Sequence, residues 1–181
     1  MLGLRRSASK CRAPCFYGEI LTMIKEPNII FLDVDGVLNS AHTNDYGPSG
    51  CIGVEDEKVK LLRQIQEKHD ASLVLTSTWK LEYPDGKDYL YLCEKLAKEN
   101  MYITDITRDD LNLARRGRGI LAWLNSHPHD KWIVLDDEMF CDYKELKITS
   151  HLVRTSFADG LLPKHLRYAE KIFAQQERKT S

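Results

Sequence analysis

Short apolar runs that end abruptly on polar residues constrain this chain more than anything else in it. Asn28-Ile29-Ile30-Phe31-Leu32-Asp33-Val34 is dense in branched and aromatic residues, and Ser72-Leu73-Val74-Leu75-Thr76 and Lys131-Trp132-Ile133-Val134-Leu135 repeat the pattern. Runs of this length without polar alternation suit strands buried on both faces. Amphipathic segments lie between them. Glu55 to His69 carries Val59, Leu62 and Ile65 at helical spacing, Asp88 to Asn100 reads as a second helix, and Gly117 to Ser126 presents Ile120, Trp123 and Leu124 on one face. Met101–Thr104 and His151–Arg154 read as two further strands. Leu162, Leu166, Ala169, Ile172 and Phe173 mark a last helix.

Strand and helix in alternation, with short links, predict a three-layer α/β fold built on a mostly parallel sheet of five strands. The chain has 181 residues, enough for one domain with a real core. We expect that domain over residues 27–181, preceded by an N-terminal arm over 1–26, either disordered or an upstream extension. Its first 22 residues hold Arg5, Arg6, Lys10 and Arg12 against the single Glu19 and lack periodicity. An organellar transit segment is the minor alternative for that arm.

A net charge of -1 gives no global basic field of the kind that marks many nucleic-acid binders. The apolar runs are far shorter than the roughly 20 residues a membrane helix needs. Five cysteines, an odd number with no CxxC, argue against a disulfide framework or a four-ligand zinc site and fit a cytoplasmic protein with reduced thiols. His127-Pro128-His129 lies between a helix end and a strand start and reads as a polar turn rather than a zinc pair. Trp79, Trp123 and Trp132 read as packing residues.

In parallel sheets chemistry collects beyond the carboxyl ends of the strands. The first strand ends in Asp33-Val34-Asp35-Gly36, two carboxylates two residues apart. Close carboxylates repel and call for a divalent cation or a shared proton; the bland alternative is an acidic turn. An EF-hand-type calcium loop is a poor fit, because position twelve from Asp33 is Asn44. The second strand ends in Thr76-Ser77-Thr78-Trp79-Lys80, hydroxyls that suit a phosphate oxygen or a helix cap. The fourth ends in Asp136-Asp137-Glu138, acids that suit a metal or a cap. Arg115-Arg116-Gly117-Arg118 precedes it, either a solvated basic turn or a cation reaching the carboxylates and a phosphate.

Taken in order, these features resemble the haloacid dehalogenase-like (HAD) superfamily, whose members are mostly magnesium-dependent phosphatases. The resemblance runs from Asn28 to Phe173. VLNS, VLTSTWK, RGRGILAWL, WIVLDDE and HLVRTSFADGLL are similar to a compact branch, the HAD-like domain of Swiss Army Knife RNA-repair proteins. The chain departs from the superfamily in offering Arg where its basic motif usually has Lys, and from that branch in having Lys80 where Arg often follows the Trp.

The resemblance implies a phosphomonoester hydrolase with Asp33 as nucleophile, forming an aspartyl-phosphate, and Asp35 as general acid and base. It implies Mg2+ held by Asp33, Asp35 through its carbonyl, and an acid of the Asp136-Asp137 pair, with Asp137 the expected ligand and Asp136 orienting the basic residue or a metal-bound water. Thr76, Ser77, Lys80 and Arg116 would bind the phosphoryl group. Asn39 to Val54 is only a loop, which implies a capless or minimally capped site open to a large phosphorylated partner such as a nucleic-acid end. A small-ester or nucleotide phosphatase and a non-catalytic HAD-fold binding module remain alternatives. The oligomeric state is not legible.

Overall fold

A computed structural model describes residues 26–108 and 115–180. The expected arm, Glu26 excepted, lies outside the described residues, as do Cys11 and Cys15. Five strands, β1 (Asn28–Leu32), β2 (Ala71–Leu75), β3 (Ile103–Ile106), β4 (Trp132–Asp136) and β5 (Leu152–Arg154), form one sheet in the order β3-β2-β1-β4-β5. Every neighbouring pair is parallel. Four helices connect them: α1 (Asp56–His69), α2 (Lys87–Ala97), α3 (Arg116–Ser126) and α4 (Pro163–Thr180).

Alternation along the strands divides the core in two. Ile30, Leu32, Leu73, Leu75, Ile133 and Leu135 pack with Val59, Leu62 and Ile65 of α1, Leu92 and Leu96 of α2, and Ala169 and Phe173 of α4. Ile29, Phe31, Val74 and Val134 face the other way, toward Ile120, Trp123 and Leu124 of α3, with Tyr143 and Ile148 beside them. The connections advance from β1 to β3 over one face and return to β4 and β5 over the other. The reversal falls between β1 and β4, where a parallel sheet opens a crevice at its carboxyl edge.

Most boundaries agree with the sequence to within a residue or three, and β3 departs with consequence. It begins at Ile103 instead of Met101. Asn100 takes a left-handed conformation (φ 54°), and the Met101 amide donates back to Leu96 O at 3.1 Å, so these residues close α2. Asp136 belongs to β4 itself, and Arg116 opens α3 instead of preceding it. Trp79 and Trp123 are buried, and His127 stacks on Trp123 at 4.2 Å in a turn. Between β1 and α1 the chain forms one isolated bridge, Tyr46 to Ile52, and no other regular element. No described helix is long and apolar enough to cross a membrane.

Candidate active site

The register of the sheet assembles the site. Leu32 pairs with Leu75 and with Leu135, and Leu75 pairs with Ile106. One step further along each strand lie Asp33, Thr76, Asp136 and Thr107. The backbone pairing continues through them: Thr76 N donates to Leu32 O at 2.9 Å, Asp33 N to Leu135 O and Thr107 N to Leu75 O, both at 3.0 Å. Four polar residues therefore form a row across β3-β2-β1-β4, on the face that α3 covers.

Arg116, at the first position of α3, closes over that row. Its Nη1 lies 2.8 Å from Asp33 Oδ2 and 2.7 Å from Asp136 Oδ2. Its guanidinium rests 4.4 Å from the centre of the Phe140 ring. Arg115 and Arg118 are exposed and Arg116 is buried, so the fold places one of the three arginines at the carboxylates. The Arg118 amide is met instead by Asp142 Oδ2 at 3.1 Å, beyond the open N-terminus of the helix.

Asp136 accepts from three groups. Oδ1 accepts from the Glu138 amide at 2.9 Å, while Oδ2 accepts from Arg116 and from the Tyr143 hydroxyl at 3.2 Å. Asp137 follows on the half-buried rim, and its carboxylate lies against the backbone of Gly36. A Cβ built on Gly36 would stand 2.4 Å from Asp137 Cγ, and Gly36 has φ +67°. Only glycine meets both demands. Asp33, Asp136 and Asp137 each offer an oxygen within 4.8 Å of the others.

Asp35 stands outside that group. Asn39 Nδ2 donates to its Oδ1 at 2.8 Å and Trp79 Nε1 to its Oδ2 at 3.1 Å. The turn carrying it is tied at both ends. Asn39 Oδ1 accepts from the Gly36 amide at 2.8 Å, and the Thr155 hydroxyl donates to Gly36 O at 2.6 Å. Ser77 is buried and its hydroxyl accepts from the Trp79 amide, capping a 3-10 turn over Thr78–Glu82. Lys80, expected at the phosphate, is buried with Nζ 2.8 Å from Thr107 Oγ1, and Thr107 in turn donates to Thr76 Oγ1 at 3.2 Å.

The charges do not balance: three carboxylates face one guanidinium. Burial, then the neighbouring Asp33, raise the pKa of Asp136, with Arg116 offsetting part of the effect. Burial and Asp33 also push Asp137 up, to about 6. Burial opposes the Arg116 charge, but Asp33 and Asp136 outweigh it and hold that group above its ordinary value. Crowded carboxylate oxygens with no His or Cys among them are a donor set for a hard divalent cation such as Mg2+. The carboxylates of Asp33, Asp136 and Asp137 fit that ion.

Sequence reasoning missed Asn39, Thr107, Tyr143 and Thr155. Asn39 alone carried a signal, three residues after Gly36 in the first motif.

One family profile, described as the HAD domain in Swiss Army Knife RNA repair proteins, matches residues 29–166. No curated protein matches the chain.

Proposed function

The chain belongs to the family of HAD domains in Swiss Army Knife RNA repair proteins, and on that premise we propose that it is a Mg2+-dependent phosphomonoesterase acting through Asp33. Membership makes it a HAD-family protein of phosphatase-like hydrolase type with phosphorylated substrates. The observation that supports the finer reading is the Arg116 bridge between Asp33 and Asp136, with Asp137 alongside.

In this reading Asp33, the Asp35 carbonyl and Asp137 would hold Mg2+, which when bound would supply positive charge against the phosphoryl oxygens. Arg116 fixes the Asp33 carboxylate through Oδ2 and adds a second positive charge at the transferring group. An Asp33 oxygen attacks phosphorus as the ester P–O bond breaks, and Asp35 gives a proton to the leaving oxygen. Asp35 then takes a proton from water, which attacks the phosphorus, breaks its bond to Asp33 and releases inorganic phosphate. Asn39 and Trp79 hold the Asp35 carboxylate for both transfers. Thr76 and the Ser77 amide receive the phosphoryl oxygens, with Lys80 behind them.

We place the scissile phosphate on a nucleic-acid end. The RNA-repair setting of the family supports this, and so do the short 39–54 loop and exposed Lys87, Arg108, Arg115 and Arg118. Cys51 and Cys93, both free thiols, suit a reducing, cytoplasmic setting. The test is turnover of an aryl phosphate with and without Mg2+, followed by 3′- and 5′-phosphorylated oligonucleotides. Preference for an oligonucleotide, with a Michaelis constant that rises with salt, is expected. Equal, salt-independent kinetics on a mononucleotide would favour a small-ester phosphatase, and no turnover a binding module.

A further inference from the structure

Lys80, Thr107 and Thr76 form a buried hydrogen-bonded chain that begins on a pure donor. An ammonium group only donates. Lys80 Nζ therefore donates to Thr107 Oγ1, at 2.8 Å. A hydroxyl that accepts once keeps its proton and a second lone pair, and Thr107 donates that proton to Thr76 Oγ1, at 3.2 Å. Thr76 Oγ1 is then the acceptor, and its own proton is left to point outward. Among the described residues nothing receives that proton. Thr76 occupies the row position beside Asp33, where a phosphoryl oxygen would sit in the proposed reaction.

We infer that Lys80 and Thr107 are a one-way hydrogen-bond relay that forces the Thr76 hydroxyl to act as a donor to the phosphoryl group. The idea rests on the phosphatase reading and deepens it. A free hydroxyl rotates between donating and accepting; an anionic oxygen only accepts, so a rotor fixed as a donor loses no binding to the wrong orientation. The lysine charge polarises both hydroxyls in series, as linked hydrogen bonds in a low-dielectric interior do. Lys80 and Thr107 are positioning residues here. Neither needs to touch the substrate, and Thr76 alone does. All three are buried, so little water competes for the links.

The full-length protein decides the matter through binding of inorganic phosphate in Mg2+, followed by calorimetry, alongside kcat and KM on an aryl phosphate. Thr107→Val keeps shape and removes the link; Lys80→Met keeps length and removes the donor. Each should weaken phosphate binding about tenfold. Thr107→Ser should stay within about twofold of wild type, a rescue that packing alone would not give. The Lys80→Met/Thr107→Val double variant should lose no more than either single one, because a chain breaks once. Additive losses, with Lys80→Met far the worse, would mean that Lys80 contacts phosphate directly and would overturn the relay. Single variants indistinguishable from an active wild type would also overturn it while leaving the phosphatase reading intact. Wild-type protein that neither binds phosphate nor turns over the ester would overturn both.

Discussion

Two clusters in this molecule have the same formula, one cation between two aspartates, and opposite electrostatics. Lys95 Nζ lies 3.1 Å from Asp45 and 2.9 Å from Asp56, tying the 39–54 loop and the start of α1 to α2. Arg116 holds Asp33 and Asp136 at similar distances. The Asp45 and Asp56 side chains are 53% and 56% exposed, those of Asp33 and Asp136 only 7% and 0%. At the surface, hydrogen bonding to Lys95 lowers the pKa of both carboxyls and water completes their solvation. At the sheet edge, burial raises Asp136, and Asp137 adds a third acid whose pKa is also raised. Exposure leaves the surface carboxyls lowered by their cation, while burial and crowding raise Asp136 and Asp137, and such perturbed groups gather at functional sites.

The widest gap between the clusters should appear in turnover. Asp33→Asn keeps the shape but removes the proposed nucleophile, and steady-state assays should show a loss of at least about a thousandfold, roughly 4 kcal/mol. Asp45→Asn should stay within about twofold.

Breaking the cations should separate the clusters again. Arg116→Ala leaves two buried carboxylates without their partner, a cost of about 3–5 kcal/mol in denaturant unfolding. It should also lower turnover at least about tenfold, near 1.4 kcal/mol. Lys95→Met exposes carboxylates already in water and should cost less than about 1 kcal/mol. A larger turnover loss for Arg115→Ala or Arg118→Ala would shift the cationic role to that residue.

The smallest effect is one of pH. Asp137 has a folded pKa raised from 3.8 to about 6, so in metal-free protein its contribution to stability is greatest in acid. That contribution falls as pH rises through this window. Asp45 and Asp56, with lowered values, act in the opposite sense: their stabilisation is present above their unfolded pKa and is lost as pH falls. Melting curves of metal-free wild type and Asp137→Asn should diverge by a few degrees between about pH 4 and 7, wild type losing ground as pH rises. Mg2+ should shrink the difference. A constant offset across that range would remove the charge argument for Asp137.

The sheet was readable because parallel strands buried on both faces leave unbroken apolar runs, and each run stops where the polar row begins. Asp33, Thr76 and Asp136 could thus be aligned before any fold was known. Thr107 could not. A third strand placed over Met101–Thr104 leaves it in a loop; the strand runs over Ile103–Ile106 instead, and a register shift that skips Thr104, with Leu73 paired to Ile103 and Val74 to Asp105, brings Thr107 into the row. Tyr143 and Phe140 reach the site from a segment without periodicity that folds back over α3, and such contacts leave no local signal. Asp136 and Asp137 are equivalent as letters. They differ because one is walled in by Arg116 and Tyr143 and the other lies over a glycine.

The central claim is the proposed Mg2+ site at the buried carboxylates, with none at the surface pair. Calorimetric titration with Mg2+ at neutral pH, on wild type, Asp137→Asn and Asp45→Asn, tests it without any substrate. Wild type and Asp45→Asn should bind one ion with equal affinity, and Asp137→Asn should bind at least about tenfold more weakly. Wild-type affinity in Asp137→Asn, or a loss in Asp45→Asn instead, would contradict the account.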